Sequence, residues 1–147
     1  MSYTQILYQI VFGTKNNAPV LLKDRRSELF KYLHGILQNK NCHVYIINGV
    51  ENHLHIVTHV HQSIAVADLI KDMKVASSKW IKQNRIFKGF TAWQTKYGAF
   101  TYSINDKDRL IKYVENLEER HKTLTYREEF IMLLKKHQID YDEKYLF

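Results

Sequence analysis

The chain predicts an α+β fold in a single domain spanning residues 1–147. Three observations carry that prediction. Four short stretches rich in β-branched and aromatic residues read as strands, and apolar residues recur at helical spacing in the segments between and after them. No linker, internal repeat or low-complexity tract divides the chain. With 147 residues and 45% hydrophobic content it can bury a real core, and its 13% aromatic share excludes a disordered protein.

Residues 4–12 (TQILYQIVF) form the first predicted strand. A helix follows over residues 21–37, with Leu29, Phe30, Leu33, Ile36 and Leu37 at helical spacing, and residues 39–41 break it. Residues 43–48 (HVYIIN) and 53–60 are the next two strands, a hairpin pair turning near Gly49. Ser63 is positioned to cap a helix over 64–84, carrying Leu69, Ile70, Met73 and Ile81. Residues 87–94 read as a loop and 97–103 (YGAFTYS) as the fourth strand. Asn105 or Asp106 then opens a helix over 107–120, and Thr125 or Tyr126 opens the last, to about residue 137. The order is βαββαβ plus two C-terminal helices, which is the ferredoxin-like or RNA-recognition-motif pattern of an antiparallel sheet with helices on one face. That pattern leaves an open sheet face for a polyanion or a partner subunit.

Composition narrows the function classes. Cys42 is the only cysteine, so no internal disulfide forms, and a buried thiol in a reducing cytoplasm is the expectation. The N-terminal residues lack the pattern of a secretory signal, and no apolar run is long enough to span a membrane. The formal charge is +7 and is concentrated: seven bases lie between Lys71 and Lys96 against one acid, Asp72. Such a segment directly after the third strand points either to a polyanion or to a solvated helix face.

The chemistry-bearing run is Glu51-Asn52-His53-Leu54-His55-Ile56-Val57. Side chains alternate along a strand, so His53 and His55 share one face while Leu54 and Ile56 anchor the other. Two neutral imidazoles on a rigid strand make half of a metal site, although such a pair also occurs as plain surface histidines. His59 and His61 lie further along, near the strand's end, and read as surface residues. On the helix over 107–120, Tyr113 shares a face with Asn116 and Leu117. Tyr113 is either a core residue or a nucleophile, and a phenol of pKa ~10 needs help to attack at neutral pH.

These pieces together resemble a family. His53-Leu54-His55 resembles the histidine–hydrophobic–histidine (HUH) motif, residues 93–103 (WQTKYGAFTYS) a "WQ, GYGAF, S" stretch, and Tyr113-Val114-Glu115-Asn116 a catalytic "YIxN" helix. The opening Ser2-Tyr3, residues 10–16 (IVFGTKN) and the ending IDYDEKYLF also match. The chain is similar, nearly end to end, to the single-tyrosine HUH transposases of the insertion-sequence 200/605 group. The resemblance implies a homodimeric, metal-dependent enzyme that cleaves and rejoins single-stranded DNA at insertion-sequence ends through a 5′-phosphotyrosine intermediate. It implies Tyr113 as nucleophile, His53 and His55 as ligands of Mg or Mn, and DNA hairpins at the element ends as partners. Lys71, Lys74, Lys79 and Lys82 are candidate phosphate contacts. Trp93 is a candidate base-stacking residue or, equally, a core anchor.

One position departs from the pattern. The family places a glutamine, its third metal ligand, four residues after the tyrosine, and here that residue is Leu117. Asn116, Glu118 or water are the alternatives. The departure opens a second reading, a catalytically weakened or domesticated protein that binds single-stranded DNA hairpins without cutting them. A third is a small dimeric metal-binding or regulatory protein with no nucleic-acid partner, against which the basic segment counts.

Overall fold

The computed structural model describes residues 2–147; Met1 of the predicted domain lies outside the described residues. Among the described residues, four strands and five α-helices follow in the order β1 (Leu7–Gly13), α1 (Lys23–Asn39), β2 (Val44–Gly49), β3 (His53–His59), α2 (Val66–Gln83), β4 (Gly98–Tyr102), α3 (Lys107–Glu115), α4 (Leu117–Arg120) and α5 (Tyr126–Lys136). The sheet order is β2-β3-β1-β4, with every neighbouring pair antiparallel. This is the predicted α+β arrangement, with β1 and β3 at the centre of the sheet.

The strand period divides the molecule into two layers. Ile10 and Phe12 of β1 and Leu54 and Ile56 of β3 point to one face, where α1 and α2 cover them with Leu29, Leu33, Leu37, Leu69, Ile70, Met73 and Ile81. Cys42 is buried in this same core. Gln9, Val11, His53, His55 and Val57 point to the other face. That face is not open, as the six-element pattern led us to expect. Leu110, Val114 and Leu117 close over Leu7 and Val57, while Tyr126, Phe130, Leu133, Leu134 and Leu146 close over Val11 and Phe100. The two helices added to the pattern therefore form a second layer, and the histidines lie beneath it.

Three predicted boundaries shift for local reasons. β1 starts at Leu7 because its ladder with β4 ends at the Leu7–Tyr102 pair. α2 is capped at Ala65 without a side-chain bond, because the Ser63 hydroxyl is taken up by His61 Nδ1 at 2.7 Å. The helix predicted over 107–120 breaks at Asn116 (φ −97°, ψ 18°), whose amide nitrogen turns back to donate to Lys112 O at 3.0 Å. From β2, Asn48 Nδ2 donates to Val114 O at 2.8 Å and so satisfies a carbonyl at the end of α3. No helix among the described residues is long and apolar enough to cross a membrane.

Candidate active site and metal centre

The site is built outward from β3, the strand between β2 and β1. His53 and His55 are fully buried and face the C-terminal layer, as their spacing requires. His53 pairs across the ladder with Gly13. A Cβ at Gly13 would stand 2.7 Å from Tyr126 Cε2 and 2.9 Å from Asn52 O, so only glycine lets the Tyr126 ring approach. That ring stacks on His53, with centroids 4.0 Å apart and planes 10° from parallel.

The next contribution comes from α5. Thr125 caps this helix reciprocally with Glu128: Thr125 Oγ1 accepts from Glu128 N at 3.1 Å, and Glu128 Oε1 accepts from Thr125 N at 3.0 Å. With its start fixed, Tyr126, Glu129, Phe130 and Leu133 share the inward face. Glu129 is 1% exposed, and its carboxylate stands between the histidines. Oε1 lies 3.0 Å from His53 Nε2 and 2.9 Å from His55 Nε2. His121, from the turn between α4 and α5, places its Nε2 3.1 Å from the same oxygen, off the line of a hydrogen bond.

Burial alone would raise the Glu129 pKa, but His121, His53 and His55 outweigh it and hold the carboxyl far below the usual range. For His53 burial dominates and pushes the imidazole down to about 4, so it is neutral near pH 7. His121 goes the other way: burial opposes its charge, but the Glu129 carboxylate prevails and raises its pKa.

The proton positions test whether this pocket suits a metal. His53 Nδ1 lies 2.8 Å from Asn52 Oδ1; with the amide in this orientation Nδ1 carries the hydrogen, and turning it over would move the hydrogen to Nε2. In the first arrangement a neutral His53 turns a bare Nε2 lone pair toward a carboxylate oxygen; in the second, Nε2 donates to it. The first arrangement brings two electron-rich atoms together and suits a cation between them. The donor atoms of His53, His55 and Glu129 lie within 4.8 Å of one another. Two imidazoles and a carboxylate are a reasonable donor set for a divalent transition metal, and the residues fit the group. The tautomer of His55 depends on Gln9, which is fully buried. Gln9 Nε2 donates to His55 Nδ1 at 2.9 Å, while its Oε1 accepts from Tyr102 Oη at 2.6 Å. Turning that amide over would reverse the pattern and free the His55 Nε2 lone pair.

Tyr113 reaches the pocket from α3. Its hydroxyl donates to Glu129 Oε2, and Arg120 lies over its ring, 4.2 Å from the centroid. Burial first, then Glu129, raises the phenol pKa well above its ordinary value. A cavity of about 480 Å³ opens beside it, lined by Tyr113, Glu129, Tyr102, Arg109, Arg120 and Lys136. The structure thus brings Tyr113, His53 and His55 together within one chain. It does not bring in the alternatives to a third ligand on the tyrosine helix. Leu117 is fully buried in the core, Asn116 is exposed, and Glu118 pairs with Lys23 and Arg26 at 3.1 Å each.

Reading the sequence missed Glu129 and His121. A signal for Glu129 was present: an acid occupies an inward position between Tyr126, Phe130 and Leu133 of an amphipathic helix. His121 left no such trace, because a turn has no periodicity.

Four bases of the segment, Lys71, Lys74, Lys79 and Lys82, lie on α2 in the opposite layer, rather than beside the histidines. Lys74, Lys79 and Lys82 join Trp93 and Thr95 around one surface groove of about 500 Å³, and Lys71 stands outside it. Lys74 Nζ donates to Thr95 O at 3.2 Å. Trp93 is 6% exposed, edge-on to Phe12 and Phe90, with Nε1 donating to Ser77 Oγ at 2.9 Å. That is the anchor role, and it leaves no open ring face on which a base would stack. Its neighbour Gln94 accepts from Tyr126 Oη at 3.2 Å, so the wall of the groove meets the floor of the site.

Comparison with known proteins places the chain in a family and matches its fold. The family model described as "Transposase IS200 like" matches residues 2–117. A candidate transposase of Deinococcus radiodurans R1 is 20% identical, with 78% of this chain and 92% of that one covered at a TM-score of 0.60. A REP-associated tyrosine transposase bound to a REP hairpin is 10% identical, with 82% and 72% covered at a TM-score of 0.62. At those identities the two structures speak to the fold. No curated protein matches the chain.

Proposed function

The chain belongs to the IS200-like transposase family, and we propose that it is a single-strand DNA transposase whose nucleophile is Tyr113 and whose metal centre is His53, His55 and Glu129. One observation supports this above the rest: the Tyr113 hydroxyl and both histidines meet on a single carboxylate, that of Glu129. Glu129 takes the part of the donor missing at Leu117, and it does so from beyond the stretch that matches the family.

In this reading Tyr113 Oη forms a bond to the scissile phosphorus as the bond from phosphorus to the 3′ oxygen breaks. The phenolic proton starts on Tyr113 Oη, which donates it to Glu129 Oε2, and ends on the departing 3′ oxygen, which leaves as a hydroxyl. One phosphodiester replaces another, so neither water nor ATP is consumed. A divalent ion, Mg or Mn, would polarise the phosphate and offset the Glu129 charge that keeps the phenol protonated. Arg120 orients the phenol through its ring, and Arg109 and Lys136 draw the phosphate backbone into the cavity. The 5′-phosphotyrosine is later attacked by a 3′-hydroxyl, which rejoins the strands.

DNA hairpins are the proposed partner. The groove of Lys74, Lys79 and Lys82 suits a hairpin stem held by phosphate contacts, with the single strand passing to the cavity. Because every proposed catalytic group lies in one chain, a homodimer would not be needed to complete the site. The reading favours a working enzyme over a cleavage-dead hairpin binder, since Glu129 meets the objection that Leu117 raises.

The test is formation of a covalent adduct. Protein is incubated with single-stranded oligonucleotides spanning the element's ends and Mn or Mg, then resolved on a denaturing gel. Wild type is expected to give a metal-dependent adduct that Tyr113→Phe reduces by at least ~1,000-fold. An equal adduct from Tyr113→Phe would remove Tyr113 from the mechanism.

A further inference from the structure

We propose that Tyr102 and His137 are positioning residues for the metal centre: with Gln9 they form a hydrogen-bond chain that decides which nitrogen of His55 is bare, and the chain reverses its direction when His55 takes a divalent ion. The inference rests on the metal-centre reading above and concerns residues outside the donor set.

The chain runs outward from Glu129. Its Oε1 lies 2.9 Å from His55 Nε2, and His55 Nδ1 lies 2.9 Å from Gln9 Nε2. The other end of that amide, Oε1, lies 2.6 Å from Tyr102 Oη, which in turn lies 3.1 Å from His137 Nε2. Rigid elements hold each member. Gln9 is fully buried on β1, paired with Val57 of β3 and Phe100 of β4. Tyr102 ends β4. His137 caps α5, the helix that carries Glu129, and its ring stacks on Phe100 with centroids 4.7 Å apart.

The members agree on one of two directions. In the first, His137 Nε2 donates to Tyr102 Oη, Tyr102 donates to Gln9 Oε1, and Gln9 Nε2 donates to His55 Nδ1. His55 then carries its hydrogen on Nε2 and donates to Glu129. In the second, the Gln9 amide is turned over and every bond reverses. His55 Nδ1 donates to the amide oxygen, the amide nitrogen donates to Tyr102 Oη, and Tyr102 donates to His137 Nε2. A mixed chain sets two donors or two acceptors against each other at one contact, which is costly inside a protein.

The residue types suit such a reversal. A phenol with its hydrogen in place both donates and accepts, and burial first, then Asp106, raises the Tyr102 pKa to about 12. A neutral imidazole carries its hydrogen on either nitrogen, and burial first, then Lys136, lowers the His137 pKa. A lysine or a carboxylate at either place would fix one direction. An ion at His55 Nε2 needs that lone pair bare, so it selects the second direction and leaves His137 with its hydrogen on Nδ1.

Nitrogen-15 magnetic resonance of the histidine rings of the full chain tests this without DNA cleavage. Zn(II) serves as a diamagnetic probe, and calorimetry measures Mn(II) affinity for wild type, Tyr102→Phe and His137→Phe. Both variants keep the aromatic ring and remove the polar atom. In wild type, Zn(II) should move the hydrogen of His55 from Nε2 to Nδ1 and, in step, that of His137 from Nε2 to Nδ1. Tyr102→Phe should abolish the His137 response and weaken Mn(II) binding ~10-fold, and His137→Phe should weaken it less. A His137 ring that ignores Zn(II) while His55 and His53 bind it would overturn the proposal and leave the metal centre standing. Unchanged Mn(II) affinity in Tyr102→Phe would overturn it as well. Should a variant fail to fold, the His137 response of wild type decides alone. If wild type bound neither ion, the metal-centre reading would fall together with this inference.

Discussion

The two faces of strand β3 put one backbone to opposite uses. Leu54 and Ile56 face α1 and α2 in a layer of aliphatic and aromatic side chains. Their neighbours His53 and His55 are equally buried, yet they meet a carboxylate, a phenol and a third imidazole. The first face contributes stability through apolar area removed from water and close packing. The second concentrates polar groups whose mutual satisfaction is incomplete, which is costly for folding and useful for chemistry. A rigid apolar layer lets the other side of the same strand hold such groups in place.

The comparison is broken most sharply by damaging one face at a time. Leu54→Ala should cost about 2–5 kcal/mol of stability, because it opens a cavity in the larger core. Chemical denaturation would read that loss, while adduct formation per folded molecule should persist. Gln9→Leu does the reverse. It removes the partner of His55 and Tyr102 but keeps an apolar volume, so stability should fall less than in Leu54→Ala. Mn(II) affinity, by contrast, should fall ~10–100-fold, as expected when a ligand histidine loses its orienting bond.

A smaller effect distinguishes the faces by pH in metal-free protein. Because folded His53 is pushed down to about 4, the unfolded chain takes up a proton below pH ~6.5 that folded His53 refuses. Stability should therefore drop as pH falls from that range toward 4. The His121 pKa is raised, so its ion pair with Glu129 stabilises below pH ~6.5 and is lost as pH rises through the raised value. Thermal unfolding across pH should show both limbs. The acid limb should flatten in His53→Gln and the alkaline limb in His121→Gln.

How much could be read from the sequence also follows the two faces. The apolar layer declares itself through periodicity: Leu29, Leu33 and Leu37 on one helix and Ile10, Phe12, Leu54 and Ile56 on two strands were all legible. So were His53, His55 and Tyr113, because short-range spacing and a family resemblance mark them. Glu129 and His121 were not, since each becomes meaningful only when α5 folds back over the sheet, 74 residues from His55 in the case of Glu129. The predicted open face failed for the same reason, as strand patterns do not say which later helices will cover them. Likewise the run of lysines after β3 suggested proximity to the histidines. Chain order is not layer order, and α2 carries those lysines to the far side.

The central claim is that Glu129 on α5, rather than any residue at position 117, supplies the third donor of the site. The most direct measurement compares metal-dependent adduct formation by wild type, Glu129→Ala and Leu117→Gln, each checked for folding. The account predicts an active wild type, loss of at least ~100-fold in Glu129→Ala, and no gain in Leu117→Gln, whose polar side chain would enter an apolar core. An inactive wild type made active by Leu117→Gln, or full activity in Glu129→Ala, would contradict it.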